Sequence, residues 1–163
     1  MLNLVSIGIS HHSASLDVRE KMWMSTDETR VAVKGLMEKF FDECMLVSTC
    51  NRTELYGIGK NGSLSEVELK QFLIGAKAAT GTVKLDHFVS TLSEDAVRHL
   101  FHVAAGVDSM VIGDIQILGQ VKEAFQVSVE LNALGPVMNR LMQSTLHVGK
   151  RVRTETSIWK LPS

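Results

Sequence analysis

Between Leu4 and Leu92 the chain sets short β-compatible runs among helical stretches, and their order leaves few folds open. Leu4 to Ile9 is rich in β-branched residues and ends at the polar stretch Ser10-His11-His12-Ser13, the pattern of a short buried strand. Leu16 to Lys21 suits a short helix, and Thr26 or Asp27 can cap a second, with Val31, Val33, Leu36, Met37 and Phe40 at helical spacing. Cys44 to Ser48 is again apolar. Arg52 to Ile58 alternates polar with apolar residues as a half-exposed strand does, so the two runs are expected to form a hairpin with Cys50 at its bend. Ser63 or Ser65 caps a helix to about Lys77, Phe88 to Leu92 reads as a strand, and Ser93-Glu94-Asp95 opens a helix with carboxylates in its first turn. Strand, helix, strand, strand, helix, strand is the order of a split βαβ unit. The expected class is therefore α+β and ferredoxin-like, a small antiparallel sheet with helices on one face, followed by C-terminal helices.

Residues 1–134 are read as one domain and 135–163 as the beginning of a long connecting helix. Pro136 marks the helix start; Val137, Leu141, Thr145, Val148 and Val152 make an apolar face, and Arg140, Lys150, Arg151 and Arg153 populate the other. Such a helix projects unless something packs on it. A chain of 163 residues, 45% hydrophobic, can bury one real core but is short for two independent domains. With 17 basic against 18 acidic residues no global positive field advertises a polyanion, so an RNA partner needs a local patch. The start MLNLVSIGIS lacks the features of a signal peptide, and no run of about 18 apolar residues occurs, which leads us to expect a soluble, cytoplasmic protein with no membrane partner.

The 2 cysteines fit neither a disulfide framework nor a zinc knuckle, so each is packing or chemistry. Cys44, among Phe40, Phe41, Met45 and Leu46, suits packing. Cys50 lies where an apolar strand gives way to Ser48-Thr49 and Asn51-Arg52, and Arg52 shares its face in an extended chain, where a guanidinium favours a thiolate. His99 and His102 are three apart on one helix, but no carboxylate or cysteine has the companion spacing of a metal site, and none is expected. A histidine beside a cysteine is the commoner pattern, because imidazole can relay the exchanged proton; spacing does not say which histidine. Gly57-Ile58-Gly59-Lys60-Asn61-Gly62 matches G-x-G-x-x-G, yet the strand before it alternates where a dinucleotide-binding strand runs apolar, so a plain glycine-rich turn is preferred. From Gly106 to Lys122, glycines at 106, 113 and 119 let backbone approach something closely, and Ser109, Asp114, Gln116 and Gln120 suit a small polar ligand.

Gly8-Ile9-Ser10-His11, Ser48-Thr49-Cys50-Asn51-Arg52-Thr53-Glu54, Arg98-His99-Leu100-Phe101 and the Gly113 to Lys122 block together resemble glutamyl-tRNA reductases, in order and to about Thr156. The resemblance implies that residues 1–134 are the catalytic, glutamyl-tRNA-binding domain. It implies that Cys50 forms a thioester with the glutamyl group, which NADPH reduces to glutamate-1-semialdehyde in tetrapyrrole biosynthesis, and that His99 is associated with activity. Thr49, Asn51, Arg52, Ser109, Asp114, Ile115, Gln116 and Gln120 would surround the glutamyl moiety, with Arg52 on its side-chain carboxylate. Asp114 stands where the family usually has Glu, one methylene longer. The family continues into NADPH-binding and dimerisation domains outside this sequence, so the resemblance implies a homodimer at full length, contact with glutamate-1-semialdehyde aminomutase, no cofactor bound by this chain, and slow deacylation by the chain alone. A tRNA- or protein-binding module without catalysis, or a cysteine hydrolase, are the alternatives.

Overall fold

A computed structural model describes residues 3–60 and 64–158. Four strands, β1 (Leu4–Ser10), β2 (Phe41–Ser48), β3 (Arg52–Gly59) and β4 (Val89–Leu92), form a sheet of order β2-β3-β1-β4. All neighbouring pairs are antiparallel, with Ile7 opposite Leu55 and Leu55 opposite Leu46 across the centre. This is the split βαβ arrangement that the order of elements predicts. The helices are α1 (Leu16–Met22), α2 (Thr26–Lys39), α3 (Glu66–Ala76), α4 (Ser93–Ala104), α5 (Gln116–Glu130) and α6 (Pro136–Glu155).

Period-2 alternation divides the sheet between two cores. Val5, Ile7, Cys44, Leu46 and Leu55 face Val18 and Met22 of α1, Val33 and Leu36 of α2, and Leu69 and Leu73 of α3. Leu4, Met45, Val47 and Tyr56 face Leu100 and Val103 of α4, Val121 of α5, and Met138 and Met142 of α6. The first three helices thus take one face, as expected, and the C-terminal helices close the other. One consequence corrects the sequence reading: β3 is not half-exposed, and Arg52, Thr53 and Glu54 are all buried. Its alternating polar residues face an internal ion network instead of solvent.

The start of α2 is set by Ser25 rather than Thr26 or Asp27: the Ser25 hydroxyl accepts from Glu28 N at 3.2 Å while Glu28 Oε1 accepts from Ser25 N at 3.1 Å, a reciprocal capping box. Val31 is 73% exposed, and Ala32, Val33 and Leu36 carry the packing. Ser65 caps α3, its hydroxyl accepting from Glu68 N; the alternative cap Ser63 lies outside the described residues, as do Asn61 and Gly62 of the glycine motif and the tail from Trp159.

The last helix is docked from Met138 to Gly149, and its final residues are exposed. Its buried residues are Met138, Met142, Thr145 and Gly149: Thr145 is shared with the face read in the sequence, the other three lie one position on from Val137, Leu141 and Val148, and Val137 is 37% exposed. Glu43 Oε1 on β2 accepts from Gly135 N at 2.6 Å and Met138 N at 2.8 Å, satisfying orphan amides at the start of α6. At Gly149 the helix approaches its neighbours so closely that a Cβ would stand 2.6 Å from Leu118 Cδ1 and 3.2 Å from the Ala104 carbonyl oxygen. Among the described residues no helix is long and apolar enough to cross a membrane.

Candidate active site

Cys50 is exposed at the bend between β2 and β3, and Cys44 is buried under the sheet, where desolvation pushes its thiol up to about 12. The bend is fixed by its own residues. Thr49 Oγ1 accepts from Asn51 N at 3.1 Å and Arg52 N at 3.2 Å, and Thr49 N donates to the Arg52 carbonyl at 2.7 Å. His11 N donates to the Asn51 carbonyl at 3.0 Å, which ties the bend to the end of β1. A short connection held by this many bonds presents the Cys50 thiol on a rigid mount.

Opposite the bend lies the Gly106–Ile115 segment and the first turns of α5. Gly106 and Gly113 have φ of +79° and +88°, a left-handed conformation that a side chain disfavours, and Gly113 N donates to the Gly106 carbonyl at 3.1 Å. The segment therefore doubles back on itself. The third glycine, Gly119, lies within α5 with open space beside it and makes no such approach. Asp114 Oδ1 accepts from Gln116 N at 2.9 Å and so caps the first turn of α5.

Between bend and segment is a cleft of about 40 Å³. Of the residues singled out in the sequence, Thr49, Cys50, Asn51, Arg52, Ser109, Asp114, Gln116 and Gln120 all line it. Ile117, not singled out, completes the wall, whereas Ile115 is outside it and exposed. His99 is outside it too, and stands behind Arg52.

Arg52 was expected to favour the Cys50 thiolate, but its hydrogen bonds go elsewhere. The residue is 1% exposed; Nη1 donates to Glu54 Oε1 and Asp108 Oδ2, each at 2.9 Å, and Nη2 to the Asp108 carbonyl at 2.6 Å. Glu54 continues the chain of contacts: Tyr56 Oη donates to its Oε1 at 3.2 Å, and His99 Nε2 is 2.6 Å from its Oε2. His12 Nε2 lies 3.2 Å from Asp108 Oδ1. Burial alone would raise the Glu54 carboxyl, but the His99 hydrogen bond and the Arg52 charge bring it below its ordinary value. Burial would likewise lower His99, and the Glu54 hydrogen bond and charge overcome this and raise it. Asp108 is held low against burial by the Arg52 hydrogen bond and charge. His11 is lowered, by burial first and then by the charges of His12 and Arg52.

Glu54 and Asp108 are the two carboxylates of this network, and sequence reasoning missed both, along with Tyr56 and His12 at its margins. The i, i+2 pairing of Arg52 with Glu54 on one strand face was the available signal for the first; nothing local marks Asp108. Among the described residues there is no group of three or more His, Cys, Asp or Glu side chains placed to hold a metal. The dinucleotide motif is also accounted for differently: Gly57 lies within β3, where a Cβ would stand 2.6 Å from the Glu43 carbonyl oxygen and 2.7 Å from Phe41, so its missing side chain makes room for the sheet's own neighbour.

A family model for the N-terminal domain of glutamyl-tRNA(Glu) reductase matches residues 7–156. The chain is 37% identical over 158 residues to a glutamyl-tRNA reductase of Chlorobium phaeobacteroides (strain BS1), covering 96% of this chain and 37% of that protein. It is 34% identical over 158 residues to the glutamyl-tRNA reductase of Chloroherpeton thalassium, covering 96% and 36%. The solved structure of glutamyl-tRNA reductase from Methanopyrus kandleri superposes with a TM-score of 0.78 at 32% identity, covering 95% of this chain and 35% of that one. The chain thus spans little more than a third of the length of the relatives it matches.

Proposed function

This chain belongs to the glutamyl-tRNA reductase family, within its N-terminal domain, and from that premise we propose that Cys50 takes the glutamyl group from glutamyl-tRNA as a thioester. The Cys50 Sγ attacks the ester carbonyl carbon, the new S–C bond forms as the C–O bond to the terminal ribose breaks, and the ribose oxygen leaves with the thiol proton. The observation that carries the reading is that the one exposed cysteine shares a cleft with seven of the residues singled out for the substrate. A hydrolase acting on other esters is not favoured by any contact.

Within the cleft Thr49 holds the bend, Asn51, Ser109, Gln116 and Gln120 offer hydrogen bonds to the glutamyl backbone, and Asp114 offers a carboxylate to its amino group, with Ile115 positioning that turn. The Asp114 carboxylate already caps α5, so its contact to the amino group is water-bridged or shared. Arg52 pairs with the substrate's side-chain carboxylate in the place Asp108 takes without ligand, since the fork that accepts one carboxylate accepts another. Asp108 occupies the Arg52 fork, so it gives way as the substrate carboxylate takes its place. His99 positions Arg52 through Glu54 rather than touching the reacting atoms.

Residues 1–134 are the catalytic, tRNA-binding domain in this reading and 135–163 the first part of a connecting helix. Reduction by NADPH to glutamate-1-semialdehyde for tetrapyrrole synthesis is the reaction of the full-length enzyme, a cytoplasmic homodimer that meets glutamate-1-semialdehyde aminomutase. The test is mass spectrometry of the chain after mixing with glutamyl-tRNA. A glutamyl adduct on Cys50, lost in Cys50→Ser with the fold intact, is expected because a hydroxyl is nearly isosteric but far less ionised. Tight binding without an adduct would point to a binding module instead.

A further inference from the structure

A second cleft, of about 230 Å³, adjoins the Cys50 cleft and shares Gln120 with it as a common wall. Its floor is Leu46 and Ser48 at the end of β2, two residues before Cys50. One side is the face of α5 made by Gln120, Glu123, Ala124 and Val127, and the other is the α1–α2 joint carrying Trp23. The joint is anchored to the floor, since Met24 N donates to the Ser48 hydroxyl at 2.9 Å, and that hydroxyl is 3.0 Å from Thr53 Oγ1. Arg30 of α2 and Glu130 of α5 form an ion pair at 2.5 Å that links the two helices beside the cleft. Trp23 is nonetheless 46% exposed, an indole in an extended position on a fixed support.

We propose that this second cleft is a nucleobase subsite, receiving the amino-bearing base of the tRNA's 3′-terminal adenosine by stacking on Trp23; the inference rests on the thioester reading of Cys50 above. Chemistry and distance point the same way. An ester bonded to the terminal ribose places the base one sugar away from the attacked carbonyl. The walls from Gln120 to Val127 run seven residues along α5, about 10 Å at 1.5 Å per residue, the scale of a nucleoside. The lining has no Lys or Arg, so it does not suit a phosphate. It offers instead an aromatic face, worth most to a flat base, and the Glu123 carboxylate, an acceptor for an exocyclic amino group. The shared Gln120 stands at the junction, where the ribose would pass from one cleft to the other.

The experiment follows acylation of Cys50 on the 163-residue chain by two donors, 3′-O-glutamyl-adenosine and the α-ethyl thioester of glutamate, which carries no nucleoside. Trp23→Ala is expected to raise the half-saturating concentration of the nucleoside donor about tenfold, the effect of one lost base stack, and to leave the ethyl thioester unchanged. Trp23→Phe, which keeps a ring face, is expected to recover most of the loss. Equal loss with both donors, or none with either, overturns the subsite. Failure of the unsubstituted chain to be acylated by either donor overturns the thioester reading itself, and the ethyl thioester arm reports any variant that has not folded.

Discussion

Arg52 and Glu54, two residues apart on one strand face, are both buried, and charges taken out of water destabilise a fold unless they are matched. Here Arg52 is matched by Glu54 and Asp108, and Glu54 by Arg52, Tyr56 and His99. Removing one partner should therefore cost more than the pair contributes: Glu54→Gln is expected to lower the unfolding free energy by about 3 kcal/mol, read by urea denaturation. The network also predicts how stability depends on pH. His99 is raised in the folded state above its ordinary 6.5, so its contribution is complete below that value and lost as pH climbs through the raised one. Glu54 is lowered below its ordinary 4.5, so its contribution is present above that value and lost as pH falls through the lowered one. Stability from this pair is greatest between the two, and His99→Asn should flatten the decline on the alkaline side; an unchanged alkaline limb would exclude the pairing. Cys50 and its cleft were legible in the sequence because an exposed-type neighbourhood around a cysteine has a chemical signature. Glu54 was not, because alternation of polar and apolar residues looks the same whether the polar side meets water or a buried guanidinium.

Elements were read well where a local signal fixes them and less well where packing decides. The hairpin around Cys50, the Pro136 start of α6 and the carboxylates opening α4 were all visible as turn and cap chemistry. The capping box Ser25-x-x-Glu28 carries the same kind of signal one residue before Thr26; Ser25→Ala is expected to cost about 1 kcal/mol, measured as a shift in the denaturation midpoint. The face of α6 is a different case. Valines at 137, 148 and 152 outweigh Met138 and Gly149 on any hydrophobicity scale, yet a small residue where two helices touch is what lets them approach, and periodicity counts apolar groups rather than clearances. Gly149→Val would drive methyl groups into Leu118 and the Ala104 carbonyl. An expected loss of about 1–3 kcal/mol, with α6 displaced, would show as faster amide exchange along α4 and α6.

At the scale of the whole molecule, the two halves of the Cys50 cleft come from opposite layers: the β2–β3 bend belongs to the sheet, and α5 to the helical layer that closes its second face. The ferredoxin-like order was readable because connection lengths limit topology, whereas the docking of α5 and α6 depended on contacts between residues far apart in sequence. Both layers are needed to bring Cys50 together with Ser109, Asp114, Gln116 and Gln120. The chain spans 37% of the length of its Chlorobium relative. On the thioester reading proposed above, an acyl group on Cys50 of the purified chain is expected to pass to water: hydroxide adds to the carbonyl carbon, the C–S bond breaks, and free glutamate leaves as the thiol is restored. Cys50 is exposed, which leaves its acyl group open to that water. Incubation with glutamyl-tRNA is expected to release glutamate and deacylated tRNA slowly, at one rate with or without NADPH. Semialdehyde formed by the chain in an NADPH-dependent manner would overturn the expectation and place a nucleotide site on residues now assigned to the sheet.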